Sequence, residues 1–168
     1  MLFRSNKAIE ILKTAILLEW RGKAFYGKVA NQTSDPDVKE VFEIMADEED
    51  EHVKVLTEQF NHYVQNQKFK AIKLPKDSGD TVSEILSSKI KENISAASYE
   101  AAAISAAIDM ENKAIAVYSD RAKQATDPEE KQFYQWLANW EKGHHKILFE
   151  LDNDLRERIW ADNQFWPS

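Results

Sequence analysis

The chain has no cysteine, few turn-forming residues and no long apolar run, and each absence narrows what it can be. Without cysteine there is no disulfide, zinc ribbon, iron–sulfur cluster or thiol catalysis. Four glycines and four prolines in 168 residues are too few for a sheet-rich fold, which needs more turns. No stretch approaches the roughly twenty apolar residues of a membrane span, so a membrane is not expected as a partner. Arg4, Lys7, Glu10 and Lys13 interrupt the N-terminal apolar positions, and no small-residue cleavage site follows, so no signal peptide is read there. Positive charge is in the minority too. A formal net charge of −7 argues against nucleic acid as a partner. A small, acidic, cysteine-free chain suits the cytoplasm.

What is abundant is helix-forming: Ala, Leu, Ile, Glu and Lys. The length allows one domain with a real core, read as residues 1–168. Ser5 can cap a first helix that runs to about Asn31, with Ile9, Leu12, Ile16, Glu19 and Tyr26 on one stripe. Asp35 followed by Pro36 is a strong start for a second helix, to about Asn66. Its inward stripe is Val38, Phe42, Met45, Glu49, His52, Val53, Leu56, Phe60 and Tyr63. A connection over 67–97 carries a capping box at Thr81–Glu84 and a short helix through Ile85, Leu86 and Ile90. A third helix from about Ser98 to Ala125 presents Ile104, Ile108, Glu111, Ile115 and Tyr118. Asp127 and Pro128 repeat the cap-plus-proline start of a fourth, to about Ile159. Its inward stripe is Tyr134, Leu137, Ala138, Glu141, His144, Leu148 and Leu151, and Trp160, Phe165 and Trp166 lie in the tail.

The expected fold is therefore all-α: a ferritin-like four-helix bundle made of two hairpins, about 5–66 and 98–158. A crossover of some thirty residues is far longer than the link between adjacent antiparallel helices.

Two Glu-x-x-His pairs, Glu49/His52 and Glu141/His144, lie on these stripes, where each carboxylate sits beside its imidazole on one helix face. Glu19 and Glu111 each precede one pair by thirty positions. One offset of 92 positions relates 19 to 111, 49 to 141 and 52 to 144. Laying 19–56 on 111–148 without a gap gives 13 identities in 38 positions, among them these ligand candidates, Tyr26/Tyr118, Asp35/Asp127 and Pro36/Pro128. A lone buried carboxylate costs several kcal/mol and needs a cation, a donor or a proton. Four carboxylates and two imidazoles, duplicated at one spacing, form the ligand set of a dinuclear metal site.

Blander readings fit the other candidates. One Glu-x-x-His alone would be an ordinary surface pair, and even two could be buried hydrogen-bonded pairs that only fix bundle register. His62 and His145 lack a Glu three residues earlier and read as rim residues. The acidic run Asp47–Glu51 reads as a solvated face apart from Glu49. The five tryptophans read as core or interface. Tyr26 and Tyr118, each two turns beyond a candidate ligand Glu, are read as phenols donating to a ligand carboxylate of the opposite repeat.

On these residues the chain resembles the rubrerythrin branch of the ferritin-like di-iron carboxylate proteins. The resemblance implies two iron ions per site, with manganese or zinc as alternatives. It implies that Glu19 and Glu111 are terminal ligands, that Glu49 and Glu141 bridge, and that His52 and His144 each cap one metal. It further implies a homodimer and an oxidoreductase, of ferroxidase or peroxide- and oxygen-reducing type, that takes O₂ or H₂O₂ in oxidative stress or iron handling. Two departures stand out. The cysteine-rich rubredoxin domain of full-length rubrerythrins has no counterpart here, so electrons would come from an external donor. The additional Glu those proteins carry three residues after the third-helix ligand is Ala114 here, with Gly22 as its repeat-mate. The alternative function is a non-catalytic iron-binding or storage protein, or a helical module with a structural metal.

Overall fold

The computed structural model describes residues 2–74 and 99–163, with side chains for 7–74 and 99–157. Four helices account for nearly all of them: α1 (Leu2–Gln32), α2 (Pro36–Asn66), α3 (Tyr99–Gln124) and α4 (Pro128–Asn163). The 31 residues of α1 and of α2 give rods about 45 Å long. The helix expected at 82–90 and the residues of the tail beyond 163 lie outside the described residues.

Local chemistry sets the helix ends. Asp35 accepts from the backbone N–H groups of Asp37 and Val38 at 2.9 and 3.0 Å, which caps α2 ahead of Pro36. Asp127 does the same at α4, accepting from Glu129 N–H at 3.0 Å. At the far end of α2, Gln67 adopts the left-handed conformation (φ 55°) and donates its N–H to Tyr63 O. Helix α1 begins at Leu2, so Ser5 lies within it and is not its cap; helical backbone already runs through Ser5 from an earlier start.

Helix α1 packs along α2, and α3 along α4, as two hairpins, and α1 and α3 join one hairpin to the other. A cavity of about 390 Å³ at one end of the bundle fixes the helix directions. It is lined by Lys7 near the start of α1, Tyr63 and Gln67 at the end of α2, Arg121 and Gln124 at the end of α3, and Glu130 at the start of α4. Helices α2 and α3 thus finish at the same end and run parallel, so the chain between them must return along the bundle. The return begins with an anchor: Gln59 and Lys70 exchange two hydrogen bonds, side chain to backbone, at 2.9 and 3.0 Å. Phe69 then packs its ring against Tyr63, Phe133 and Tyr134.

Apolar packing falls into two clusters. One centres on Tyr26, Phe42, Met45, Ile104, Leu148 and Leu151. The other centres on Leu12, Leu56, Tyr118, Tyr134 and Leu137, with Phe69. The stripes expected on α2 and α4 are buried almost throughout, with Phe60 only partly covered. On α1 and α3, Ala8, Ala15, Ala107 and Ala114 are buried beside the larger Leu12, Tyr26, Ile104 and Tyr118, while Ile9, Ile16, Ile108 and Ile115 are only partly covered. The repeat is broken at one packing contact. Val29 and Val38, both buried, have Arg121 and Glu130 as their mates, and these form an ion pair.

Candidate metal centre

Between the apolar clusters lies a layer of buried ionisable groups. Glu19, Glu49, His52, Glu111, Glu141 and His144 are all at most 3 % exposed. Each owes its position to the helical period: every one falls on the inward stripe of its helix, and each Glu-x-x-His pair spans about one turn. The structure brings all six together. They form two groups of four, Glu19/Glu49/His52/Glu141 and Glu49/Glu111/Glu141/His144. In each group one donor atom per residue lies within 4.8 Å of the rest. Glu49 and Glu141 belong to both.

The histidines present the same nitrogen inward. His52 Nδ1 lies 3.0 Å from Glu141 and 3.5 Å from both Glu19 and Glu49. His144 Nδ1 lies 3.4 Å from Glu111 and Glu141 and 3.5 Å from Glu49. These approaches lack hydrogen-bond geometry. Glu49 Oε2, both carboxylate oxygens of Glu141 and Nδ1 of each histidine are buried without a hydrogen-bond partner among the described residues. Buried polar atoms are seldom left unpaired, and here they converge. A donor set of hard carboxylate oxygens and imidazole nitrogens fits iron or manganese, and also zinc.

With protons as the only cations, the layer divides them unevenly. Burial pushes Glu49 up to about 8, helped by the negative charge of Glu19. Burial also carries Glu111 well above the carboxylate range, with Glu141 adding to it. Burial would raise Glu19 too, but the neighbouring Glu49 and His52 and the hydrogen bond from Tyr118 outweigh it and bring Glu19 down to about 2. Burial opposes charge on His52 and His144, yet the carboxylates around each raise both well above the imidazole range. The layer holds protons that a metal ion would displace.

The two tyrosines cross between repeats. Tyr26 donates to Glu111, and Tyr118 donates to Glu19 at 2.5 Å. Both rings are fully buried, and burial together with the neighbouring carboxylates holds both phenols in the protonated, donating form. Gly22 touches the layer as well. A β-carbon there would stand 3.1 Å from Glu49 Cδ and 3.2 Å from its Oε1, so the absence of a side chain lets Glu49 lie against α1.

One residue of the layer reads differently in sequence and structure. Glu48 was expected on the solvated face but is buried, and it accepts from His144 Nε2 and from Trp140 Nε1. The stripe on which it lies, Val41–Met45–Glu48–His52, continues the inward steps of four and three. Its repeat-mate is Trp140, a residue ill-suited to a solvated face, and that was the available signal. Trp140 and Trp136 pack edge-on to His52, with ring centroids at 4.9 and 5.4 Å. The rest of the acidic run is outward: Asp47 and Glu51 are exposed, and Asp50 pairs with Lys23 and Lys54. His62 and His145 stay outside the layer, His62 beside Asn66 and His145 stacked on Phe149.

The family model for rubrerythrin matches residues 10–151, a span that holds all six converging residues. The chain belongs to the rubrerythrin family. No curated protein and no solved structure matches it. As a member of that family, it has a buried Glu/His layer that fits a di-iron site. Among the described residues, no helix is long and apolar enough to cross a membrane.

Proposed function

We propose that this rubrerythrin-family protein is a di-iron oxidoreductase that oxidises Fe(II) with O₂ or H₂O₂. The observation that carries the reading is the sharing of Glu49 and Glu141 between two four-residue groups. Shared carboxylates are what a bridged metal pair needs, whereas two independent mononuclear sites would each need a full set.

In this reading Glu49 and Glu141 would be shared between two ions, Glu19 and Glu111 would each serve one of them, and His52 and His144 would each offer Nδ1 to one. Two iron ions held there supply one electron each, enough for a two-electron reduction of O₂ or H₂O₂. The chain's own residues do the rest. Tyr26 and Tyr118 fix the terminal carboxylates from the opposite repeat and keep their rotamers from drifting. The near-complete burial of all six groups excludes bulk water and restricts the reactant to a small oxidant. Ala114 offers no carboxylate where other rubrerythrins carry one, so ferroxidase chemistry is favoured over an efficient peroxidase cycle. With no cysteine, the chain draws electrons from an external donor. In this reading the family suggests a role in iron handling or oxidative stress and a homodimer, and the acidic, cysteine-free composition suits a cytoplasmic location.

The test is anaerobic reconstitution with Fe(II), metal analysis, then stopped-flow mixing with O₂ or H₂O₂. About two irons per chain and oxidation well above the rate of free Fe(II) in buffer are expected. Two tightly bound zinc ions with no redox change would leave a structural metal instead, and no binding would reduce the layer to a buried register device.

A further inference from the structure

One repeat position makes the two halves of the layer chemically different. Position 48 is Glu and its mate, position 140, is Trp. Both lie one residue before a shared carboxylate and four before a histidine, so each should stand behind a histidine. Behind His144 stands Glu48, which accepts the Nε2 hydrogen. Trp140 Nε1 donates to the same carboxylate oxygen at 3.1 Å and holds it in place. Among the described residues, the indole rings of Trp140 and Trp136 stand behind His52. His52 Nε2 is buried and, among the described residues, has no hydrogen-bond partner. The inward nitrogens are alike, each facing three carboxylates through Nδ1. The two histidines differ on their outer side.

An outer carboxylate fixes the tautomer and ring orientation of a ligating histidine and raises its basicity. A ring among indoles has packing but no such acceptor. We infer that Glu48 makes the two metal positions unequal. The position of Glu49, Glu111, Glu141 and His144 fills first and holds its ion the more tightly. The position of Glu19, Glu49, His52 and Glu141 is the exchangeable one. Glu48 is a positioning residue, since it acts through His144 and touches neither ion. This inference rests on the reading of the six residues as metal ligands.

The probe is Co(II), added to chelator-treated full-length protein and followed by calorimetry and visible absorption. Two binding steps are expected, separated by about 10- to 100-fold in affinity, the range that outer partners of ligating histidines command. Glu48→Gln keeps the volume and removes the charge. It should weaken the first step towards the second and leave the second in place. Equal steps in the wild type, or a Glu48→Gln variant that weakens both steps alike, would overturn the inference while leaving two metals bound. No Co(II) binding at all would overturn the ligand reading and this inference with it. A measurement on the wild type alone guards against a variant that misfolds. With one equivalent of Co(II), paramagnetically shifted NMR signals of ¹⁵N-histidine-labelled protein should come from His144. Equal signals from His52 and His144 would refute the order of filling.

Discussion

Replacing Tyr118 by Phe removes one oxygen atom and separates two roles of the buried phenol. In the protein without bound metal, Tyr118 donates at 2.5 Å to Glu19, a carboxylate held down to about 2 and therefore ionised at neutral pH. A hydrogen bond to a charged group contributes about 1.5–3 kcal/mol. Tyr26 donates to Glu111, whose protonated form burial favours, so that bond is closer to a neutral one, about 0.5–1.5 kcal/mol. For a chain of 168 residues, each kcal/mol moves the melting temperature by about 2–4 °C. Tyr118→Phe should therefore lower it by about 3–12 °C, and Tyr26→Phe by about 1–6 °C. Metal loading removes this difference. Both carboxylates are then ionised, and each variant loses one orienting donor, which should weaken binding by about 10- to 100-fold. Thermal melts by circular dichroism with chelator, then Co(II) calorimetry, measure both. A Tyr26→Phe variant that melts lower than Tyr118→Phe, or either variant binding metal as tightly as wild type, would refute the reasoning.

Three further outcomes are expected. Glu49 (up to about 8), Glu111, His52 and His144 all bind protons more tightly folded than unfolded. Their contribution to stability is thus present at low pH and lost as pH rises past the unfolded values of 4.5 and 6.5 towards the folded ones. Glu19 runs the other way, losing its contribution as pH falls from 4.5 to about 2. The chelator-treated protein should melt lower at about pH 9 than at about pH 6, and metal affinity should rise with pH as protons are released; calorimetry in two buffers of different ionisation enthalpy counts them. Gly22→Ala gains about 1 kcal/mol of helix propensity and loses about 1–3 kcal/mol to crowding against Glu49. Its melting temperature should fall by about 0–8 °C, and both metal-binding steps should weaken, because Glu49 is shared; unchanged calorimetry would count against the close contact. Asp35→Ala removes the cap of α2, costs about 1 kcal/mol and lowers the melting temperature by about 2–4 °C, with metal stoichiometry unchanged.

Much of the fold was legible because it is written in local rules. Asp35–Pro36 and Asp127–Pro128 start helices for reasons confined to one turn, and both starts stand where they were expected. The length of the link between α2 and α3 implied a crossover without reference to any contact. Ser5 misled because a good capping residue does not stop helical backbone that begins before it. Glu48 was misread because its neighbours in sequence are charged, and local composition outweighed the stripe on which it lies.

The sequence by itself determined that six ligand-type residues face the interior. A Glu-x-x-His on an apolar stripe turns inward wherever that helix packs, and the offset of 92 implies that two such sets meet. Only the tertiary structure decided which group touches which. That Tyr26 reaches Glu111 and Tyr118 reaches Glu19 depends on the rotation and depth of one hairpin against the other. The same docking gives His144 a carboxylate and leaves His52 among indoles. Spacing along a chain fixes the face of a helix, but not the atom that meets it from across the core.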